Sequence, residues 1–103
     1  MSDNTLRDQI QTAIDENDVI LFMKGTPEAP ACGFSARTVA ALQSLEVPFA
    51  AVDILPDPRI RQELSAISDW PTIPQLFVDG ELIGGCDIVM EMYESGELAQ
   101  ALA

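Results

Sequence analysis

Five consecutive apolar residues, Val19-Ile20-Leu21-Phe22-Met23, leave the chain few options. A continuous apolar run this short reads as a buried strand. The sequence after it is a Gly- and Pro-punctuated loop, Lys24 to Cys32. Beyond Gly33 the spacing of Val39, Leu42 and Leu45 predicts a helix, which Pro48 should stop. Phe49-Ala50-Ala51-Val52-Asp53-Ile54 reads as a second strand, apolar enough to be buried. Strand, helix and strand make a βαβ unit, so the two strands should be parallel with a right-handed crossover.

The remaining segments fit around that unit. Leu6, Ile10, Ala13 and Ile14 fall on one face of an opening helix, with Asn4 as a cap and Asn17-Asp18 as its end. Asp57-Pro58 pairs an N-cap with proline at the first helical position, and Ile60, Leu64 and Ile67 supply that helix's buried stripe. Asp79-Gly80, between Leu76-Phe77-Val78 and Glu81-Leu82-Ile83, is a type I′ hairpin signal. Gly84-Gly85-Cys86-Asp87 then opens a helix through Ile88, Val89, Met92 and Tyr93, with Asp87 as its expected N-cap. Gly96 should end it, and Glu97 to Ala103 forms a short last helix. The order predicts one α/β domain over residues 1–103: a four-stranded mixed sheet, βαβ then ββα, with helices on both faces.

The chemistry centres on Cys32, which the pattern places between a strand and the first turn of a helix. Unpaired amides and the positive end of the helix dipole favour thiolate there. A free cysteine titrates near ~8.5, and one at a helix N-terminus or beside a cation falls to ~3.5–7.5. Lys24 is a candidate cation for the same pocket. Ser35 occupies the second position of a Cys-x-x-Cys pattern, so Cys32 has no resolving partner in its own motif. It can form a mixed disulfide with another thiol, ligate a metal, or simply pack.

Two cysteines and no histidine limit metal chemistry. Neither a structural zinc site nor an iron–sulfur cluster can find four ligands of these types in one copy. A cluster would have to borrow thiolates from a second chain or a small thiol. The distant pair Cys32 and Cys86 does not make a disulfide scaffold.

Charge excludes two classes of partner. The net charge of −12 argues against nucleic acid and anionic membrane, both of which need a basic surface. Four of the five basic residues, Lys24, Arg37, Arg59 and Arg61, lie between positions 24 and 61, where four acids balance them. The reactive stretch is therefore neutral inside an acidic chain. No apolar run approaches the ~20 residues of a membrane span. The polar start, Met1-Ser2-Asp3-Asn4, lacks the features of a targeting signal, so a cytoplasmic location is expected.

Three other stretches carry possible function. Trp70-Pro71-Thr72-Ile73-Pro74 is rigid and extended. It either presents the backbone of Ile73 to a peptide-like ligand or serves as a stiff connection. Gly84-Gly85-Cys86-Asp87 offers helix N-terminal amides to an anion, while Asp87 caps the helix or meets an ammonium group. Cys86 has packing as its default. Arg61 either fixes a carboxylate with a forked pair or is a solvated helix residue.

Together, Met23-Lys24-Gly25-Thr26-Pro27, Cys32-Gly33-Phe34-Ser35, Trp70-Pro71-Thr72-Ile73-Pro74-Gln75-Leu76, Val78-Asp79-Gly80-Glu81 and Gly84-Gly85-Cys86-Asp87-Ile88 resemble the monothiol glutaredoxins of the Cys-Gly-Phe-Ser type, in their short single-domain form. The resemblance implies the thioredoxin-like fold and a cis peptide before Pro74. It implies glutathione binding, with Lys24 and Arg61 on the glycyl carboxylate, Ile73 on the cysteinyl backbone, and the Cys86 amide with Asp87 at the glutamyl end. It implies that Cys32 ligates iron, so that two chains and two glutathiones hold one [2Fe–2S] cluster in a homodimer. Cluster carriage between donor and acceptor proteins follows as the expected function, and a BolA-family protein as a possible partner. The rival is a glutathione-dependent thiol–disulfide oxidoreductase in which Cys32 attacks the mixed disulfide. An oxidative disulfide between Cys32 and Cys86 would need their Cα atoms within about 7 Å.

Overall fold

The structure is a computed structural model that describes residues 2–102, and their side chains from residue 5. In chain order the elements are α1 (Ser2–Glu16), β1 (Val19–Met23), β2 (Gly25–Thr26), β3 (Ala29–Pro30), α2 (Gly33–Ser44), β4 (Ala50–Asp53), α3 (Pro58–Ser68), β5 (Gln75–Val78), β6 (Glu81–Gly84), α4 (Cys86–Ser95) and α5 (Glu97–Leu102). The main sheet has the order β4-β1-β5-β6. β1 runs parallel to β4, with Phe22 opposite Val52, and antiparallel to β5, with Leu21 opposite Leu76. This is the four-stranded mixed sheet that the sequence predicts.

β1 is buried along its whole length because it is central and covered on both faces. Its side chains alternate between two cores, as the two-residue period of a strand requires. Val19, Leu21 and Met23 join Leu42, Leu76, Val89 and Leu98 on the face covered by α2 and α4. Ile20 and Phe22 join Ile10, Ile14, Leu64 and Phe77 on the face covered by α1 and α3. Phe22 and Phe77 meet edge to face, with centroids 5.8 Å apart and planes at 82°. Such a pair contributes ~0.5–1.5 kcal/mol beyond the area it buries. Each fully buried aliphatic side chain adds ~1.5–3 kcal/mol.

Most predicted boundaries hold. Asp57 caps α3 by accepting the Arg59 amide at 3.0 Å. Asp79 and Gly80 both have positive φ, as a type I′ turn requires, and Gly96 closes α4 in the left-handed region. The Ile73–Pro74 peptide is cis. Four readings change. α1 starts at Ser2, ahead of the expected cap Asn4, whose side chain lies outside the described residues. α2 stops at Ser44, not at Pro48: Leu45 is its C-cap and Glu46 turns left-handed, with its amide on the Gln43 carbonyl. β4 is an edge strand and only partly buried, with Ala51 exposed, because no strand covers its outer side. The loop after β1 also contains a two-residue ribbon, β2 against β3, that no periodicity could show.

Because β1 and β4 are parallel, their C-terminal ends emerge together. The loop Lys24–Ala31 leaves from one and Ile54-Leu55 from the other, so residues thirty positions apart meet at one edge. The Ile54 amide donates to the Met23 carbonyl there, at 2.9 Å.

Candidate functional site

Cys32 is the N-cap residue of α2, extended at φ −148° and ψ 138°, and its carbonyl accepts the first helical bond from Ala36 at 2.9 Å. It is partly exposed. Its thiol is held below the ordinary value of 9.0, chiefly by the Ser35 amide and next by the Phe34 amide. Lys24 and the Ser35 hydroxyl add smaller contributions, and partial burial opposes them. The sulfur closes no strict capping hydrogen bond. The stabilisation of the anion therefore comes from helix N-terminal amides turned towards the sulfur, as the dipole argument requires.

A lowered thiol pKa links stability to pH. Above the ordinary value the folded and unfolded chains are both thiolate, and the full contribution is present. It is lost as pH falls through the folded pKa. The stability of the wild type relative to Cys32→Ser should therefore rise with pH across the interval that ends near 9.0. Paired urea titrations at several pH values will measure this, and a difference that stays flat would remove the thiolate from the account.

The loop before Cys32 is tied down at three points. The Ala31 amide donates to the Lys24 carbonyl at 2.9 Å. The Lys24 amide donates to Ser35 Oγ at 3.2 Å, and Ser35 is fully buried. The Gly25 amide donates to Asp53 Oδ1 at 3.0 Å. Sequence reasoning took Ser35 only as an absent cysteine and Asp53 only as part of a strand. Ser35 is a polar residue in an otherwise regular motif, which was a usable signal. Asp53 carried none, since its partner lies 28 positions away.

An open cleft of about 190 Å³ lies beside α2. Phe34 forms one wall, Trp70 and Thr72-Ile73-Pro74 another, and Gly85-Cys86-Asp87-Ile88 the third. The Ile73 amide and carbonyl make no hydrogen bond among the described residues. The Trp70–Thr72 arch is braced from within by the Gln75 amide, which donates to the Trp70 carbonyl at 3.0 Å and the Thr72 carbonyl at 3.1 Å. Arg61 braces it from outside through Pro71 O at 3.4 Å. The Trp70 indole N–H is buried without a partner. A Cβ on Gly85 would sit 3.3 Å from both Trp70 Nε1 and Pro74 O, so a side chain there would press on the cleft wall.

The structure thus brings Ile73, Cys86 and Asp87 into one cleft, with Phe34 leading to Cys32 two residues earlier. Lys24 acts on the Cys32 sulfur, and Arg61 holds the arch; neither lines the inner wall. The capping role expected of Asp87 is wrong. Gly85 is the N-cap of α4, and Asp87 is its second residue, exposed and with its carboxylate available. Cys86 begins the helix, is buried, and like Cys32 is a free thiol. Among the described residues no three His, Cys, Asp or Glu side chains gather as a metal site. No helix among them is long and apolar enough to cross a membrane.

The family model "Glutaredoxin" matches residues 19–83, from β1 into β6. The chain is 57% identical over 96 residues to Glutaredoxin 4 of Pasteurella multocida, covering 93% of this chain and 88% of that one. It is 56% identical over 99 residues to Glutaredoxin 4 of Escherichia coli K12, covering 96% and 86%. Among solved structures it is similar to reduced apo GrxS14 of poplar, at 48% identity and a TM-score of 0.81, with 92% and 87% covered. It is also similar to a monomeric truncated mutant of Trypanosoma brucei 1-C-Grx1, at 43% identity and a TM-score of 0.85, with 93% and 87% covered. With Cys32-Gly33-Phe34-Ser35 at the start of α2, the chain belongs to the glutaredoxin family as a monothiol member of the Cys-Gly-Phe-Ser type.

Proposed function

We propose that the cleft binds glutathione and that Cys32 shares a [2Fe–2S] cluster with it, as a carrier passing the cluster between donor and acceptor proteins. The observation that carries the reading is the mismatch at Cys32. The chain holds one partly exposed thiol at a helix N-cap, its pKa lowered by the first amides of that helix, no resolving cysteine in its motif, and beside it a cleft lined by unpaired backbone groups. The donor set fits only when completed from outside. One thiolate per chain in a homodimer leaves two positions, which two glutathione thiolates supply.

The cleft suits that tripeptide. The unpaired amide and carbonyl of Ile73 offer it the pairing of an added strand. The first amides of α4, starting at Cys86, face an anionic end, and the exposed Asp87 carboxylate meets an ammonium group. In this reading Lys24, which acts on the Cys32 sulfur, and Arg61, which reaches Pro71 O, take the terminal carboxylate. A BolA-family protein in place of the second chain, and a cytoplasmic setting, belong to the same reading.

The test is anaerobic reconstitution with iron, sulfide and glutathione, read by visible absorption beside molecular size. Wild type should gain cluster absorption with a shift to dimer, and neither should appear when glutathione is omitted. Wild type that stays colourless, or that loads equally without glutathione, would sink the proposal. Gly85→Ala tests the cleft separately. Its φ of −96° suits any residue, so the fold should persist, while the added methyl crowds Trp70 and Pro74. Glutathione affinity should fall about tenfold, or ~1.4 kcal/mol, because the methyl narrows the cleft where the ligand would pack. Calorimetric titration showing unchanged affinity would place glutathione elsewhere.

One observation favours the oxidoreductase as a second reading: the Cys32 thiol is acidified by its own helix. Its thiolate would attack the glutathione sulfur of a mixed disulfide and release the protein thiolate. A second glutathione would then restore Cys32 and leave oxidised glutathione. Turnover at the rate of dithiol relatives would favour it over carriage.

A further inference from the structure

Gln75 opens β5 and is fully buried, which is unusual for an amide side chain. Its Nε2 donates to two carbonyls of the cleft wall, Trp70 O at 3.0 Å and Thr72 O at 3.1 Å. Arg61 reaches Pro71 O, the carbonyl between them, from the outer side at 3.4 Å. Among the described residues no backbone amide donates to any of the three. The arch therefore has no backbone ladder of its own. Its curvature is set by side chains, and Gln75 makes two of the three bonds.

Stability does not account for this residue. Gln75 Oε1 is buried without a partner. An unpaired buried acceptor offsets much of what the two donated bonds contribute. Where the bonds fall is more informative. The Ile73 side chain is anchored in the core with Ile54, Leu64 and Phe77, while its amide and carbonyl stay unpaired at the cleft. The core thus fixes where Ile73 stands. Its amide belongs to the same planar peptide unit as the Thr72 carbonyl, and in a trans unit the C=O and N–H point in opposite directions. A bond that draws the Thr72 oxygen inward therefore turns the Ile73 N–H outward.

We propose that Gln75 is a positioning residue for the glutathione cleft: by holding the Thr72 carbonyl from within, it aims the Ile73 amide at a ligand backbone. This role rests on the glutathione reading of the cleft. Gln75 does not itself line the cleft, so it acts through the wall. Thr72 is exposed. Without the Gln75 donors its carbonyl can turn to water, and the Ile73 amide swings with it. Affinity and stability should therefore respond differently to the loss of the amide.

Gln75→Met keeps the length of the side chain and removes both donors together with the unpaired acceptor. Glutathione affinity, measured by calorimetric titration, should fall about tenfold. The melting temperature should stay within about 5 °C of wild type. Trp70 is the chain's single tryptophan, so its fluorescence reports on the arch without any ligand. Acrylamide should quench it about twice as strongly in the variant, because the buried indole becomes reachable as the arch loosens. Gln75→Leu, also free of donors, should behave alike and is read in its place if the Met variant does not fold. Wild type that binds glutathione while the variant binds equally well overturns the role of Gln75 alone. Wild type that binds none overturns the cleft reading and this role with it. Unaltered Trp70 quenching also overturns the role. So does a pair of variants that both melt far below wild type or fail to fold, because Gln75 would then hold the core and not the arch.

Discussion

Cys32→Ser is expected to lose all cluster absorption on anaerobic reconstitution with iron, sulfide and glutathione, while its melting temperature moves by no more than about 5 °C. The two effects separate because they draw on different properties of one position. As an N-cap, residue 32 needs an extended backbone and a side chain able to accept an amide, and serine is among the preferred residues there. The fold therefore tolerates the change. As a ligand, residue 32 needs a thiolate at neutral pH. Position favours this by lowering the thiol pKa from its ordinary value, chiefly through the Ser35 amide. The same amides cannot ionise an alcohol, whose pKa lies far above any such shift. A serine variant that loads with cluster to the wild-type level would move the ligand away from Cys32. One that melts far below wild type would show that the cysteine holds structure as well.

Gly25→Ala should be among the most damaging single-methyl changes in the chain. A non-glycine residue at positive φ costs ~1–3 kcal/mol. The methyl also meets backbone atoms of Ala29 and Ala31 at 2.6 Å, and backbone, unlike a flexible side-chain tip, cannot turn aside. The turn must open, and the Ala31–Lys24 and Gly25–Asp53 hydrogen bonds go with it. Together these should cost about 2–4 kcal/mol, lowering the melting temperature by about 10–20 °C in a domain of this size. The Cys32 thiolate fraction should fall in parallel, because Lys24 moves with the turn. Gly33, where an added Cβ meets nothing within 4 Å, is the control; alanine there should leave the melt within a few degrees. Equal melting of the two variants would show that the Gly25 turn is not under this constraint.

The cleft and the loop use glycine differently. Gly25 is required by its own conformation, whereas Gly85 is small because a neighbour's wall is close. The first should act on stability and the second on ligand affinity, which makes the pair a useful separation of fold from site.

Local chemistry explains what could be read from residue order alone. The all-apolar β1, the periodic stripes of α1 and α3, the Asp57-Pro58 start and the Asp79-Gly80 turn each announce themselves within a few positions. Each depends on backbone preferences or on one face meeting water. The position of Cys32 at a helix N-terminus followed from two such neighbouring elements, and so did its acidified thiol. The family resemblance was likewise carried by short contiguous motifs. Tertiary structure decided the rest. Burial of β4 depended on which strand lay beside it, and an edge strand has none on its outer side. The N-cap of α4 fell on Gly85 because the chain enters the helix two residues earlier than a side-chain rule suggests, leaving Asp87 exposed. The bonds from Asp53 to Gly25 and from Lys24 to Ser35 span 28 and 11 positions. The first exists because the parallel strands β1 and β4 end at the same edge of the sheet, the second because α2 packs back against the segment leaving β1. Residue order thus determined that this chain carries a single activated thiol at a helix start. Packing of distant segments decided what stands beside that thiol, since the cleft walls come from α2, the stretch before β5 and the start of α4, which meet only in the folded chain.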